Sequence, residues 1–291
     1  MNTWPQLASP PDAMRPDGQL VHRDFPQSVR TTIHIDSRDR DFVVFPSSSH
    51  FTIELPELLK NVSAAVLVSA EVPLSYYVFT QARGNTQMTV RVDAQTETVQ
   101  IPDGNYSVST MVTALEAALD EAFGTNDGFS VDFSSTTLKC SITSINGGQL
   151  DVVTTGASKP TDWGLAYYLG FPPNATTTGV GGVVTGTRVS TLNPENYVLV
   201  DIEELNGIPQ CALYAAGSSG RKSFAKIPLT GDSYQYTLYD KTLTFVHNRP
   251  HLAKVDKLRV SLRFHDGTLV DLNGAEWSMT LEFACTLARS L

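Results

Sequence analysis

A two-residue alternation of apolar and polar side chains returns in short runs from residue 31 to residue 284, and it limits the chain to a largely β architecture. Thr31-Thr-Ile-His-Ile-Asp36 places Ile33 and Ile35 on one side, and His50-Phe-Thr-Ile-Glu-Leu55 does the same for Phe51, Ile53 and Leu55. Successive strand side chains point to opposite faces, so this period predicts half-buried strands. Similar text stands at 88–93 and 97–101, which read as a hairpin pair, and at 129–133, 138–142, 150–153, 197–202, 234–239, 243–246, 258–264 and 277–284. Residues 62–72 form a longer apolar run closed by Pro73. The dipeptides Asn206-Gly207, Asp266-Gly267 and Asn273-Gly274 supply turns between runs, because glycine takes positive φ without steric cost.

Helical text is scarce. Met111, Val112, Leu115, Leu119 and Ala122 repeat at helical spacing behind Ser107 or Ser109 as N-cap, with Gly124 placed to end the helix. A second short helix is expected near 161–169, stopped by Gly170 and Pro172-Pro173. With roughly ten to thirteen strands and no regular strand–helix alternation, the expected fold is mainly all-β. It is an antiparallel β-sandwich, a single jelly roll with one or two short inserted helices and an extended N-terminal arm.

The arm is residues 1–28, where Pro5, Pro10, Pro11, Pro16 and Pro26 keep the chain out of any sheet interior. Its isolated anchors Trp4, Leu7, Leu20, Val21 and Phe25 read as partner-binding residues laid on a neighbouring subunit. Residues 29–291 form the jelly-roll domain, with a Gly/Thr-rich insertion read as a long exposed loop near 174–188.

Composition narrows the function classes. The net charge is −9, and the local basic clusters, Arg221-Lys222 with Lys226 and the stretch Lys254–Arg263, sit in strand text as solvated faces. That is no basis for wrapping nucleic acid, and none is expected as a direct partner. Cys140, Cys211 and Cys285 are too few and too scattered for a disulfide framework or a zinc site. With no signal-like N-terminus and no apolar run near the ~20 residues that span a bilayer, synthesis and use in a reducing cytosol are expected, with no transmembrane segment. The sequons at Asn61, Asn105 and Asn174 then read as chance matches.

No catalytic, metal or cofactor-binding residue emerges. His247 and His251 are four apart but separated by Pro250, a loop coincidence rather than a helical metal pair. His265-Asp266-Gly267 reads as a turn, since strand neighbours point apart and do not form a dyad. Gly179-Val-Gly-Gly182 lacks the Lys and Ser/Thr of a phosphate loop, and no Gly-x-Ser-x-Gly elbow occurs. Asp36-Ser-Arg-Asp-Arg-Asp41 interleaves arginines among its carboxylates, which disfavours calcium; it reads as a salt-bridged loop with exposed local pairs worth about 1 kcal/mol or less each.

The block Ile35-Asp-Ser-Arg-Asp-Arg-Asp41, followed by Phe45-Pro-Ser-Ser-Ser-His-Phe-Thr-Ile-Glu-Leu-Pro56, resembles the opening of jelly-roll minor capsid and penton proteins of nucleocytoplasmic large DNA viruses. In order along the chain, Leu67-Val-Ser-Ala-Glu-Val-Pro73 with Tyr76-Tyr77, Ile101-Pro-Asp-Gly-Asn-Tyr106, Leu169-Gly-Phe171, Val260-Ser-Leu-Arg-Phe-His-Asp-Gly267, Leu272-Asn-Gly274 and Leu281-Glu-Phe283 fit the same pattern. The resemblance implies a non-enzymatic structural component of an icosahedral capsid, made in the host cytoplasm. Its implied partners are the double-jelly-roll major capsid protein, other minor capsid proteins and, for a penton, itself as a pentamer. Two alternatives use the same scaffold: a glycan-binding attachment module with Trp163, Tyr167 and Tyr168 as stacking platform, and a cupin-like metalloenzyme. The cupin needs a His-x-His, which the sequence lacks.

Overall fold

The structure is a computed structural model that describes residues 28–125, 128–154, 163–205, 211–213, 221–229, 236–239 and 245–286, together with two short strands at 13–14 and 20–21. The elements in chain order are β1 (Ala13–Met14), β2 (Leu20–Val21), β3 (Ser28–Asp36), β4 (His50–Pro73), β5 (Gln87–Val92), β6 (Gln95–Gln100), α1 (Val108–Phe123), β7 (Phe129–Phe133), β8 (Cys140–Ser144), β9 (Leu150–Val153) and α2 (Gly164–Tyr168). Then follow β10 (Thr176–Thr178), β11 (Val183–Thr185), β12 (Tyr197–Ile202), β13 (Cys211–Leu213), β14 (Arg221–Ser223), β15 (Ala225–Pro228), β16 (Tyr236–Tyr239), β17 (Phe245–Arg263) and β18 (Ser278–Thr286).

Two strands organise the sandwich. β4 has 24 residues and β17 has 19, several times the usual strand length of about 5–6. They pair antiparallel along most of their course, and the register breaks twice. Residues 55–58 of β4 have no strand partner among the described residues, and neither do residues 248–251 of β17; Pro56 and Pro250 fall in these gaps. Proline has no N–H for a ladder, so pairing is interrupted at each of these places. One layer is β3, β18, the second half of β4, and β16 with the start of β17. The other is the first half of β4, the end of β17, β12 and β15. Every pairing among the described residues is antiparallel, and seven strands form one path, β15-β12-β17-β4-β18-β3 with β16 on β4, in keeping with the jelly-roll-like β-sandwich expected from the sequence. The separate strands expected at 243–246 and 258–264 are thus one element, as are 50–55 and 62–72, because proline-centred bulges interrupt pairing without ending the strand.

The core lies between the layers. Ile33, Phe51, Leu67, Val200, Val260, Leu262, Leu281 and Phe283 are buried there, with Phe51 edge-on to Trp277 at 6.2 Å. Each such large side chain contributes about 1.5–3 kcal/mol relative to exposure. Residues 64–67 are buried without alternation, since this central stretch is covered on both faces.

Residues 74–196 form an insertion between β4 and β12. It holds a sheet ordered β10-β9-β5-β6, a sheet ordered β11-β8-β7, α1 packed on β6 and β7, and α2 packed on β5. Ser107 caps α1 with a reciprocal Ser107–Thr110 box, and Gly124 closes it in the left-handed conformation. Within 174–188, expected as a loop, β10 and β11 are joined through a Val180–Val183 bridge, with Val183 and Thr185 exposed and Val184 buried. Threonine-rich strands of three residues on a sheet edge look like loop text, since little of their surface is apolar. Gly170, of the Leu169-Gly-Phe171 motif, has φ +92°, and a Cβ there would lie 2.3 Å from the Arg188 carbonyl oxygen. In the N-terminal segment β1 pairs antiparallel with β2.

Candidate functional site

Asp36 ends β3 and caps the 3-10 turn Ser37–Asp39 by accepting from the Arg38 N–H at 2.9 Å. The Arg38 guanidinium also binds the Asp36 side chain, and this hydrogen bonding holds the Asp36 carboxyl below its usual range. That pair is the exposed local bridge expected from the sequence. Arg40 departs from the expectation. Its side chain is only 4% exposed, and its partner is not a neighbour but Glu276, at 2.5 Å, on the far side of the β17–β18 connection. Arg40 also donates to the carbonyls of Ser37 (2.6 Å), Phe45 (2.9 Å) and Pro46 (3.3 Å).

The same segments are stitched repeatedly. Ser37 Oγ donates to Glu276 at 2.5 Å and accepts from the Trp277 N–H at 2.9 Å; the Ser37 N–H donates to the Trp277 carbonyl at 2.9 Å. Trp277 Nε1 donates to the Ser48 carbonyl at 2.8 Å, Ser48 Oγ to the Ala275 carbonyl at 2.7 Å, and Ser49 Oγ to the Val270 carbonyl. The motif quoted from 35–56 is therefore a lock that fastens the β3–β4 connection to the β17–β18 connection. Sequence reading missed Glu276 because its partner lies 236 residues away.

The lock presents an apolar tip. Asp41 Oδ1 accepts from the N–H groups of Val43 (2.9 Å) and Val44 (3.2 Å), and Arg40 stacks on Phe42 at 4.1 Å. So fixed, Phe42, Val43 and Val44 are 54%, 92% and 62% exposed. Beside them an open cavity of about 740 Å³ is lined by Ile33, Ile35, Val44, Phe45, Ile53 and Leu55, with Asp39, Asp41, Glu54 and Lys257 among its polar residues. An apolar loop pinned by Asp41 next to a hollow of mixed polarity offers a binding surface; it brings together no nucleophile and base.

Two other motifs meet at the foot of the insertion. Asn105 accepts from the Val78 N–H (2.7 Å) and donates to the Tyr76 carbonyl (3.0 Å), so the amide of this sequon is engaged internally. Asp103 accepts from the Gln81 N–H at 2.8 Å, Ser75 Oγ donates to the Leu272 carbonyl at 2.7 Å, and Asn273 Nδ2 donates to the Ser75 carbonyl at 2.6 Å. Here Arg83 and Glu195, 10% and 5% exposed, form an ion pair, and His265 Nδ1 stands 3.9 Å from the other Glu195 oxygen. Burial raises the Glu195 carboxyl, but His265 and Arg83 outweigh it and its pKa lies below 4.5. The nearby Tyr76 phenol is pushed up to about 12 by burial and by Glu195.

Of the arm residues, Leu20 and Val21 form β2, while Trp4, Leu7 and Phe25 lie outside the described residues. His265-Asp266-Gly267 is a turn, closed by the Gly267 N–H on the Phe264 carbonyl at 2.9 Å. His247 and His251 lie in β17 on either side of Pro250, in a strand rather than the expected loop. Tyr168 is buried against Phe79 at 5.5 Å, whereas Trp163 and Tyr167 are half-buried, 4.9 Å apart, with Arg188 over Tyr167 at 4.6 Å. Burial pushes the Cys140 thiol up to about 12, which keeps it protonated. No group of three or more His, Cys, Asp or Glu is placed to hold a metal among the described residues, and no helix there is long and apolar enough to cross a membrane.

Comparison with solved structures finds the crystal structure of the selenomethionine-labelled mavirus penton protein at 13% identity and TM-score 0.46, covering 88% of this chain and 99% of that one. No curated protein matches the sequence. A family model matches residues 24–203, from the approach to β3 through the insertion to the end of β12, and the chain belongs to that family, a family of unknown function (DUF5901).

Proposed function

We propose that this chain is a structural component of an icosahedral virus capsid, a minor capsid or penton protein that contacts neighbouring subunits through its loops and its N-terminal arm. One observation carries the reading. The block at 35–56 by which the sequence resembles capsid proteins is folded into a lock that buries Arg40 and exposes Phe42, Val43 and Val44. Three consecutive exposed apolar residues on a pinned loop are costly in a free monomer and useful at an interface, where a preorganised loop loses little entropy on docking. The arm residues Trp4, Leu7, Leu20, Val21 and Phe25 add apolar anchors on a proline-restricted tether. Repetition by symmetry turns modest contacts into a stable shell. The glycan-binding alternative has less behind it, because Arg188 covers Tyr167 and Tyr168 is buried.

The test is co-assembly with a double-jelly-roll major capsid protein. The full chain enters particles; a variant lacking residues 1–27 keeps its fold by circular dichroism but is not incorporated. Failure of the full chain to enter overturns the capsid role, and unchanged incorporation of the truncated chain overturns the role of the arm. Mass photometry of the purified protein separates a penton, which is pentameric, from a monomeric cementing protein.

A further inference from the structure

The insertion leaves the sandwich after β4 and returns before β12, and its two ends are tied by charge to a third segment. Arg83 lies in the 3-10 turn Gln81–Arg83 near the start, Glu195 stands two residues before β12, and His265 sits in the turn that follows β17. Arg83 binds one Glu195 oxygen, lies 4.5 Å over the Phe264 ring and reaches the Val78 carbonyl at 3.4 Å. Tyr76 meets the same Phe264 ring edge-on at 5.2 Å. The second Glu195 oxygen faces His265 at 3.9 Å, an ion-pair separation that carries force only when the imidazole is protonated.

We infer that Arg83, Glu195 and His265 form a proton-operated clasp that fastens the 74–196 insertion to the sandwich more tightly in mild acid than in mild alkali. Removing water from Glu195 makes its unshared charge expensive, and one guanidinium serves only one of its two oxygens. A protonated His265 supplies the second partner, and since it is 54% exposed it exchanges protons freely with solvent.

The remaining groups facing the cluster do not reverse this. Tyr76 and Tyr168, the latter from α2, have phenols raised by burial and stay neutral throughout. Asp266, on the same turn as His265, reinforces the imidazolium, while Arg83 opposes it. The net effect, led by Glu195, raises His265 above 6.5. A raised histidine stabilises fully below its unfolded value and loses that contribution as pH rises through the folded value. Glu195, lowered below 4.5, stabilises above that value and loses its contribution as pH falls through its own folded value. Both charges are present together between 4.5 and 6.5, where the clasp is tightest.

The clasp is tested on the full chain by NMR titration of the histidine C2–H signals, with His265 assigned from its absence in His265→Gln. The His265 midpoint lies above 6.5 in the native protein and falls in Glu195→Gln. In thermal melts the native protein exceeds His265→Gln at about pH 5.5, and the gap closes by about pH 8.5. His265 is on an exposed turn, so His265→Gln folds, and that comparison decides the matter even where Glu195→Gln does not fold. A native midpoint at or below 6.5, or a melting gap that does not change with pH, overturns the clasp.

Discussion

Arg40 Nη1 donates to Glu276 Oε2 at 2.5 Å, joining two connections separated by 236 residues of chain. The guanidinium is almost fully buried and also donates to three carbonyls, whereas the carboxylate is a quarter exposed. The two partners therefore tolerate loss differently. Glu276→Ala strands a buried cation and costs about 3–5 kcal/mol. Glu276→Gln keeps an acceptor at the same place and costs about 1–2 kcal/mol. Urea denaturation at neutral pH of the native protein and both variants checks the order. Equal losses would mean that the carbonyls alone satisfy Arg40.

The strands were legible in the sequence because a two-residue period reports one buried face, and β3, β5, β6, β7 and β12 stand within a few residues of their expected places. The helix α1 was legible through its cap and its Gly124 stop. The lock was not. Asp36-Ser-Arg-Asp-Arg-Asp41 looks like a solvated charge run, and nothing local separates Arg38, which stays on the surface, from Arg40, which is buried. That difference is set by Glu276 and the 270–277 segment, which only the closed sandwich brings near. The Arg83–Glu195–His265 cluster was hidden likewise: each residue comes from a different connection, and His265-Asp266-Gly267 announces only its turn. Local patterns write elements; long-range ion pairs are written by topology.

Val43 separates stability from assembly. It is 92% exposed at the tip of a loop whose backbone is held by Asp41. Val43→Ser shifts the folding free energy by less than about 0.5 kcal/mol, as for other surface positions. If the tip docks on a neighbouring subunit, the same change weakens incorporation into particles several-fold. Matched melting curves with a co-sedimentation assay read both effects. Unaltered incorporation removes the tip from the interface.

Asn105 holds the foot of the insertion with both halves of its amide. Asn105→Ala leaves the Val78 N–H and the Tyr76 carbonyl without that partner and costs about 1–3 kcal/mol. Asn105→Asp restores the acceptor for Val78 but sets a carboxylate against the Tyr76 carbonyl, so it recovers part of the loss at most. Chemical denaturation ranks the three proteins. Hydrogen exchange adds a local signature, since the Val78 amide loses protection in Asn105→Ala before the sandwich amides do.

Gly124 isolates backbone strain from crowding. It ends α1 with φ +64°, its N–H bonded to the Glu121 carbonyl at 3.3 Å, and a Cβ built there meets nothing within 4 Å. Gly124→Ala therefore costs only the left-handed conformation, about 1 kcal/mol, reduced by the lower entropy of the unfolded alanine chain. Gly124→Asn costs less, because asparagine adopts this conformation more readily. At the other end, Ser107→Ala removes the acceptor for the Thr110 N–H and costs about 1 kcal/mol. These sites lie at opposite ends of a helix of 16 residues, so the losses add in the double variant Ser107→Ala/Gly124→Ala. Thermal melts of the two single variants and the double test this. A double variant that loses clearly less than the sum would show that one end of α1 frays as a unit with the other.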